Sequence, residues 1–493
     1  MPAQALNMKE KPEPLTAVDS GNDSNADNQT IDPGLNRSIT RQFDIHIIPW
    51  LFGIWLLAFI DRSNIGNARI DGLAEDLDLD GNKFNIALTV FYVPYILIDV
   101  PSNWFVKYFG ANYYLPGLLI AWGIVGMCTG FVKDYGGLLA CRFFLGLCEG
   151  GLLGGLILYL SMFYRRHELL FRIGMFYCAA PLSGAFGGLL ATGLAQLRHG
   201  GYNRWPWIFI VEGAITVVYG LVTIWFLPPT PSHAKFLTKI EREAAVHRMG
   251  LDAHGASKES KVESERFSWH CVRMAVLNIN TIVLSLNFFA IITPIYSFSL
   301  FLPSIISNLG YSSVKAQLFT VPPNMAGFFA VILCTFLSDK IKGRGPIMIG
   351  CCSIAIIGYI MLLIKTTPLV HYGGTFLVAV GVFPSSPAVM GWLANNLAPH
   401  YVRATGTGLQ IAIANCAAFI ATFTYLEKDK PEYTTGHSIN LGMLVLSLAL
   451  STTNILYVKW ENRKREEGGR DYRLNEGDEG MLGFQHPSFR YTI

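Results

Sequence analysis

The sequence predicts an all-α membrane protein of twelve transmembrane helices in two six-helix bundles. Three observations predict it. Half of the 493 residues (51%) are hydrophobic and only 15% are charged, against about 25% charged in a soluble domain. That deficit is spread along the whole chain. Apolar stretches near the roughly 20 residues that a helix needs to cross a bilayer recur twelve times, and the longest internal polar segment divides them six and six.

The N-terminal segment, 1–42, is polar and rich in Asn, Asp, Pro and Ser. It lacks the apolar core of a signal peptide and reads as a disordered cytosolic tail. The expected spans are 43–66, 84–106, 113–132, 137–161, 169–196 and 206–227, then 277–303, 316–338, 346–365, 371–394, 403–426 and 437–459. The first runs past the interruption Asp61-Arg62 because Ser63 to Ala68 are polar or small residues that pack between helices. The first bundle is therefore 43–227 and the second 276–460. Segment 228–275, opened by the helix-stopping LPPTPSHAKF, is a cytosolic linker, and 461–493 is a cytosolic tail. Lys and Arg near span ends favour the face carrying both termini by two to one, which places that face in the cytosol. The acidic loop Asp71–Asp80 then faces outward.

Several function classes fall away. A net charge of +3 is too small to suggest nucleic acid as a partner. No zinc spacing, P-loop or dinucleotide fingerprint occurs, so no metal or cofactor is expected. No nucleophile–base set points to an enzyme. The cysteines are scattered through apolar runs, where they read as buried free thiols.

What remains are ionisable residues inside lipid-soluble stretches. A charge at bilayer depth costs several kcal/mol, so such residues mark function. They form two groups: Asp61-Arg62 in span one, and Arg142 with Glu149 in span four. Arg142 and Glu149 are two helical turns apart and share a face, with Gly146 between them. The glycine leaves room for a ligand or for a closely packed helix. A buried structural ion pair is the bland reading of the charges. In the functional reading, an arginine offers a fixed fork of donors to an organic carboxylate, and a buried carboxyl beside it exchanges a proton when substrate competes for that arginine. Tyr92 and Tyr95 in span two could line the cavity or pack in the core. In the second half, Asn287, Tyr296, Asn324, Trp392, Asn395, Asn396, Gln410 and Asn415 lie at depth, and Pro294, Pro322, Pro323, Pro384 and Pro387 could break helices there. No charge in that half mirrors Asp61 or Glu149, so the proton site is expected wholly within the first six spans.

FIDRSNIGNA in span one, VPSNWFVKYFG after span two, RFFLGLCEGG in span four and FLPSIISNLGY ending span seven resemble the anion:cation symporter family of the major facilitator superfamily. The likeness is to its fungal allantoate permease-like branch, which includes nicotinate and vitamin carriers. It covers about 40–460. It implies a secondary transporter importing a small organic anion, such as nicotinate or a related monocarboxylate, together with protons. Asp61 and Glu149 would carry protons. Arg62 and Arg142 would serve substrate or charge relay, with Tyr92, Tyr95, Asn287, Tyr296, Trp392 and Asn396 as further substrate contacts. Glu212, which recurs in that family, is expected to be structural. Asp339, Lys340 and Arg344 in LSDKIKGRG match the superfamily's loop signature and imply a gating latch. The first-half copy is eroded to Asp99, Lys107 and Gly110. The resemblance further implies a monomer in the plasma membrane. A proton-antiport exporter of a secondary metabolite is the alternative. The span-five glycine–proline motif of such exporters is only partly matched, since Ala180 precedes Pro181.

Overall fold

The computed structural model describes residues 32–165, 175–194, 205–254, 269–341, 343–398, 400–475 and 483–493, together with Glu168 and Arg172. Among them the secondary structure is helical. Among the described residues ten helices are long and apolar enough to cross a membrane.

A helix α1 (Pro33–His46) precedes the first span, α2 (Ile48–Ala68). Asp32 caps α1 by accepting from the Gly34 amide at 3.1 Å, and Pro33 sits at a position where no donor is lost. Order thus reaches into the segment expected to be disordered, while residues 1–31 lie outside the described residues. Spans two and three are α3 (Lys83–Phe109) and α4 (Ala111–Thr129), joined tightly through Gly110 at φ 80°. Span four is two helices, α5 (Tyr135–Glu149) and α6 (Leu152–Ser161), broken at Gly150-Gly151. α7 (Ala179–Leu194) and α8 (Trp205–Phe226) complete the first half.

The stretch expected as a linker contains α9 (Lys239–His254) and α10 (Trp269–Val276). α9 is docked on α1: Ser38 donates to Glu241 at 2.7 Å, and Arg248 donates to Thr40 at 2.9 Å and to the Phe163 carbonyl at 2.7 Å. The second half follows with α11 (Ile279–Ser307), α12 (Ser313–Ile341), α13 (Gly345–Leu363), α14 (Pro368–Asn395), α15 (His400–Asn415), α16 (Ala417–Thr422) and α17 (Thr434–Glu466). The prolines expected to break helices do not: Pro294, Pro322, Pro323, Pro384 and Pro387 all lie inside continuous α11, α12 and α14. Glycines make the break in span four instead.

The last described segment is no loose tail. Arg465 donates to the carbonyls of Phe484 and Phe489 at 3.0 and 2.9 Å, and the Arg344 amide donates to the Ile493 carbonyl at 2.7 Å. The thiols also differ from expectation. Cys351 and Cys352 are buried, whereas Cys128 and Cys416 are exposed on outward helix faces.

The two halves meet closely on the side of the Asp71–Asp80 loop. Asp71 accepts from Ser313 and, at 2.6 Å, from Gln317. Asn85 donates to the Thr422 carbonyl at 2.5 Å, and the Thr89 and Thr422 hydroxyls are 2.8 Å apart. A Cβ at Gly66 would collide with the Leu300 carbonyl. On the side of the termini an apolar crevice of about 630 Å³ separates the first span from α12, lined by Ile48, Phe52, Phe328, Ile332 and Phe336. The fold is therefore closed on one face and parted on the other.

Candidate functional site

The charged residues expected from the sequence do come together, but with crossed partners. Asp61 and Arg62 are successive residues of α2, so they project about 100° apart. Arg62 reaches span four: its Nε donates to Glu149 Oε1 at 2.5 Å, and Nη2 is equally close. Glu149 is fully buried. Asp61 turns the other way, where Arg142 is the cation acting on it most strongly. Arg142 and Glu149 share a face of α5 but form no ion pair among the described residues.

Glycine sets this geometry. A Cβ at Gly146 would fall on the Phe91 carbonyl, and one at Gly150 on Ile98 and the Tyr95 carbonyl. Span four is thereby drawn against span two, so Gly146 makes room for a helix, not a ligand. The contact brings Tyr95 beneath the Arg62 guanidinium, 4.7 Å from the ring centroid, with Phe59 and Phe91 at 5.5 Å. Cation–π contacts of this kind gain strength when water is excluded.

Among the described residues, Arg62 is the one charged residue in the wall of a small central cavity of about 50 Å³. Trp55, Phe59, Tyr95 and Tyr177 line it from the first half, and Phe288, Tyr296, Phe383, Ser386 and Asn415 from the second. Tyr296 is within 3.5 Å of Asn415 and stacks on Tyr92 at 5.5 Å. Tyr92 is buried behind that wall.

Of the expected substrate residues, then, Arg62, Tyr95 and Tyr296 face the cavity. Arg142 lies behind it, near Phe209. Three others are engaged elsewhere in this structure. Asn287 donates to Ser451 at 2.8 Å and accepts from Ser447 at 2.6 Å, so its amide ties α11 to α17. Trp392 and Asn396 both donate to the Thr492 carbonyl, at 3.0 and 2.9 Å, and hold the C-terminal segment. None of the three lines the cavity. Of the gating residues, Lys340 is exposed and the Arg344 guanidinium presses on Gly391. The Asp339 side chain lies outside the described residues.

Sequence reading missed Trp55 and Phe59. Their positions seven and three residues before Arg62 put them on its helix face, a signal available from spacing alone. It also set Glu212 apart as structural. Glu212 is buried beside the charge cluster and accepts from Asn64 at 2.6 Å.

Three comparisons bear on this arrangement. The family model described as Major Facilitator Superfamily matches residues 51–422. Among curated proteins, an uncharacterized transporter of Schizosaccharomyces pombe is 38% identical over 87% of this chain and 85% of its own length. The high-affinity nicotinic acid transporter of Saccharomyces cerevisiae is 30% identical over 93% of this chain and 85% of its own. Among solved structures, a D-xylose-proton symporter aligns over 83% of this chain and 97% of its own, with TM-score 0.65 at 15% identity. An inward-facing bacterial homologue of the human lysosomal transporter Spinster gives 0.63, also at 15%, over 85% and 96%. At such low identity these two speak for the fold alone.

Proposed function

The chain belongs to the Major Facilitator Superfamily, and from that premise we propose that it imports a small aromatic monocarboxylate, such as nicotinate, together with protons. One observation carries this reading: among the described residues Arg62 is the single charged residue in a cavity walled mainly by aromatic and aliphatic side chains, with Ser386 and Asn415 as its neutral polar groups. A planar anion satisfies both features. Its carboxylate takes the guanidinium fork, and its ring lies among Trp55, Phe59, Tyr95 and Tyr296. The similarity to a nicotinic acid transporter supports the same class of substrate.

Coupling follows from competition. Without substrate, Arg62 is neutralised by Glu149. An entering carboxylate competes for the same donors. Glu149, released while fully buried, is costly as an anion and takes a proton. Substrate and proton are then held together or not at all. The cavity is too tight for a ring as it stands, so entry requires the halves, 43–227 and 276–460, to rock about the site. We place both termini in the cytosol and the protein in the plasma membrane, acting as a monomer, so that the closed face is the outer one. Inward movement of each positive charge is worth about 2.3 kcal/mol per 100 mV, so more than one proton per monoanion would drive accumulation.

The test is radiolabelled nicotinate uptake by cells expressing the protein. Uptake should rise as external pH falls, and a protonophore should abolish it. Uptake indifferent to both sinks proton symport. A panel of unlabelled carboxylates, competed against the label, sets the substrate class; failure of aromatic acids to compete would exclude the aromatic reading.

A further inference from the structure

Behind the cavity wall the cluster holds three buried carboxyls and two guanidiniums: Asp61, Glu149 and Glu212 against Arg62 and Arg142. Arg62 and Glu149 neutralise each other. Arg142 is left facing two acids. If all were ionised, one negative charge would remain uncompensated at bilayer depth, at a cost of several kcal/mol.

The packing brings those two acids to one place. Asp61 and Asn64 are one turn apart on α2, and Asn64 donates to Glu212 Oε2 at 2.6 Å. A Cβ at Gly126 of α4 would stand 3.9 Å from Asp61 Oδ1 and 3.8 Å from the Cα of Gly213, the neighbour of Glu212. Asp61 is the charge acting most strongly on Glu212, followed by Arg142 and Glu149 of α5. α4 and α7 contribute glycines to these contacts, Gly123 and Gly126 from one and Gly187 from the other. Donors and acceptors also stand unused. Asp61 Oδ2, Glu212 Oε1, and Arg142 Nε and Nη2 are buried without a hydrogen-bond partner. Two adjacent carboxyls that cannot both ionise hold a proton in common.

We propose that Asp61 and Glu212 form a second proton-binding site, sharing one proton beside Arg142 and separate from the Arg62–Glu149 pair. The site rests on the transport reading above only for its use; as a titrating pair it stands on burial, charge and geometry. Asn64 is its positioning residue, keeping one Glu212 oxygen engaged so that the other faces the proton. Arg142 balances the singly charged pair. Two sites of different make-up allow more than one proton per anion.

Infrared difference spectroscopy of the purified, bilayer-reconstituted protein during a pH jump tests this without any substrate. The wild type should show a protonated-carboxyl band that Asp61→Asn and Glu212→Gln each remove completely, because the proton is shared. Glu149→Gln should retain that band. Asn64→Ala should keep the band and move its midpoint. Gel filtration and thermal melting establish that each variant is folded, and Glu212→Asp, which keeps a carboxyl, should keep the band if Glu212→Gln does not fold. A band that survives in Glu212→Gln, or that Glu212→Asp and Asn64→Ala both leave unmoved, overturns the proposal. A parallel measurement of nicotinate accumulation in the same vesicles should lose its pH dependence at least tenfold in Glu212→Gln. If the wild type carries no nicotinate, the substrate assignment fails while the infrared outcome still decides the proton site.

Discussion

The interiors of the two halves differ in kind. The first is built around ionisable groups in crossed partnership. In the second, the corresponding depth holds neutral networks: Ser447 and Ser451 on Asn287, and Ser297 with Asn440, Tyr425 and His437. A neutral hydrogen bond contributes about 1 kcal/mol. A buried ion pair is costly to break by removing one member, yet another charge of the same sign can replace that member. On the proposed reading the second half supplies shape, and the first supplies the groups that respond to substrate and pH.

Substitutions can break or sharpen that contrast. The largest effect is expected at Arg62. Arg62→Gln strips Glu149 of its partner and the cavity of its cation, and uptake should fall at least 100-fold, with a stability loss of about 3–5 kcal/mol. Lysine should restore charge without the fork, so a substantial recovery of uptake in Arg62→Lys would argue against carboxylate recognition. Glu149→Gln comes next. Exchange of labelled for unlabelled substrate should continue while pH-driven accumulation disappears, and normal accumulation would remove Glu149 from the proton path. In the neutral half, Asn287→Ala should cost about 1–3 kcal/mol by leaving buried hydroxyls unpaired, read as a lowered Tm, with KM unchanged. A raised KM would mean that Asn287 reaches the substrate after all. The smallest effect belongs to Asp71→Asn, which weakens acceptance from Ser313 and Gln317. Losing about 1–2 kcal/mol there shifts the access equilibrium by about 5- to 30-fold, measurable as faster labelling of a cysteine placed on the closed face.

The spans were legible because hydrophobic length is a local property. The charges were legible because they violate it. Partnership was not legible: Arg142 and Glu149 share a face of one helix, and only the approach of span two to Gly146 and Gly150 delivers Arg62 to Glu149. The partners of Asn287 and Trp392 were hidden for a related reason. A polar residue at depth looks the same in sequence whether its partner is a ligand, Ser451 or the Thr492 carbonyl. Those partners lie about 100 residues away or more, beyond any local pattern. Proline was over-read, since a long apolar helix tolerates it when its neighbours bear the load, as α11, α12 and α14 do.

Trp55, two turns before Arg62 in the cavity wall with its ring edge-on to Phe59 at 5.2 Å, gives the protein a built-in optical reporter. Any aromatic anion held by Arg62 would touch that indole, and the touch would be visible as quenched fluorescence. A variant in which the other nine of the ten tryptophans are replaced by phenylalanine would turn binding into a light signal, readable without radiolabel, without a gradient and without a membrane.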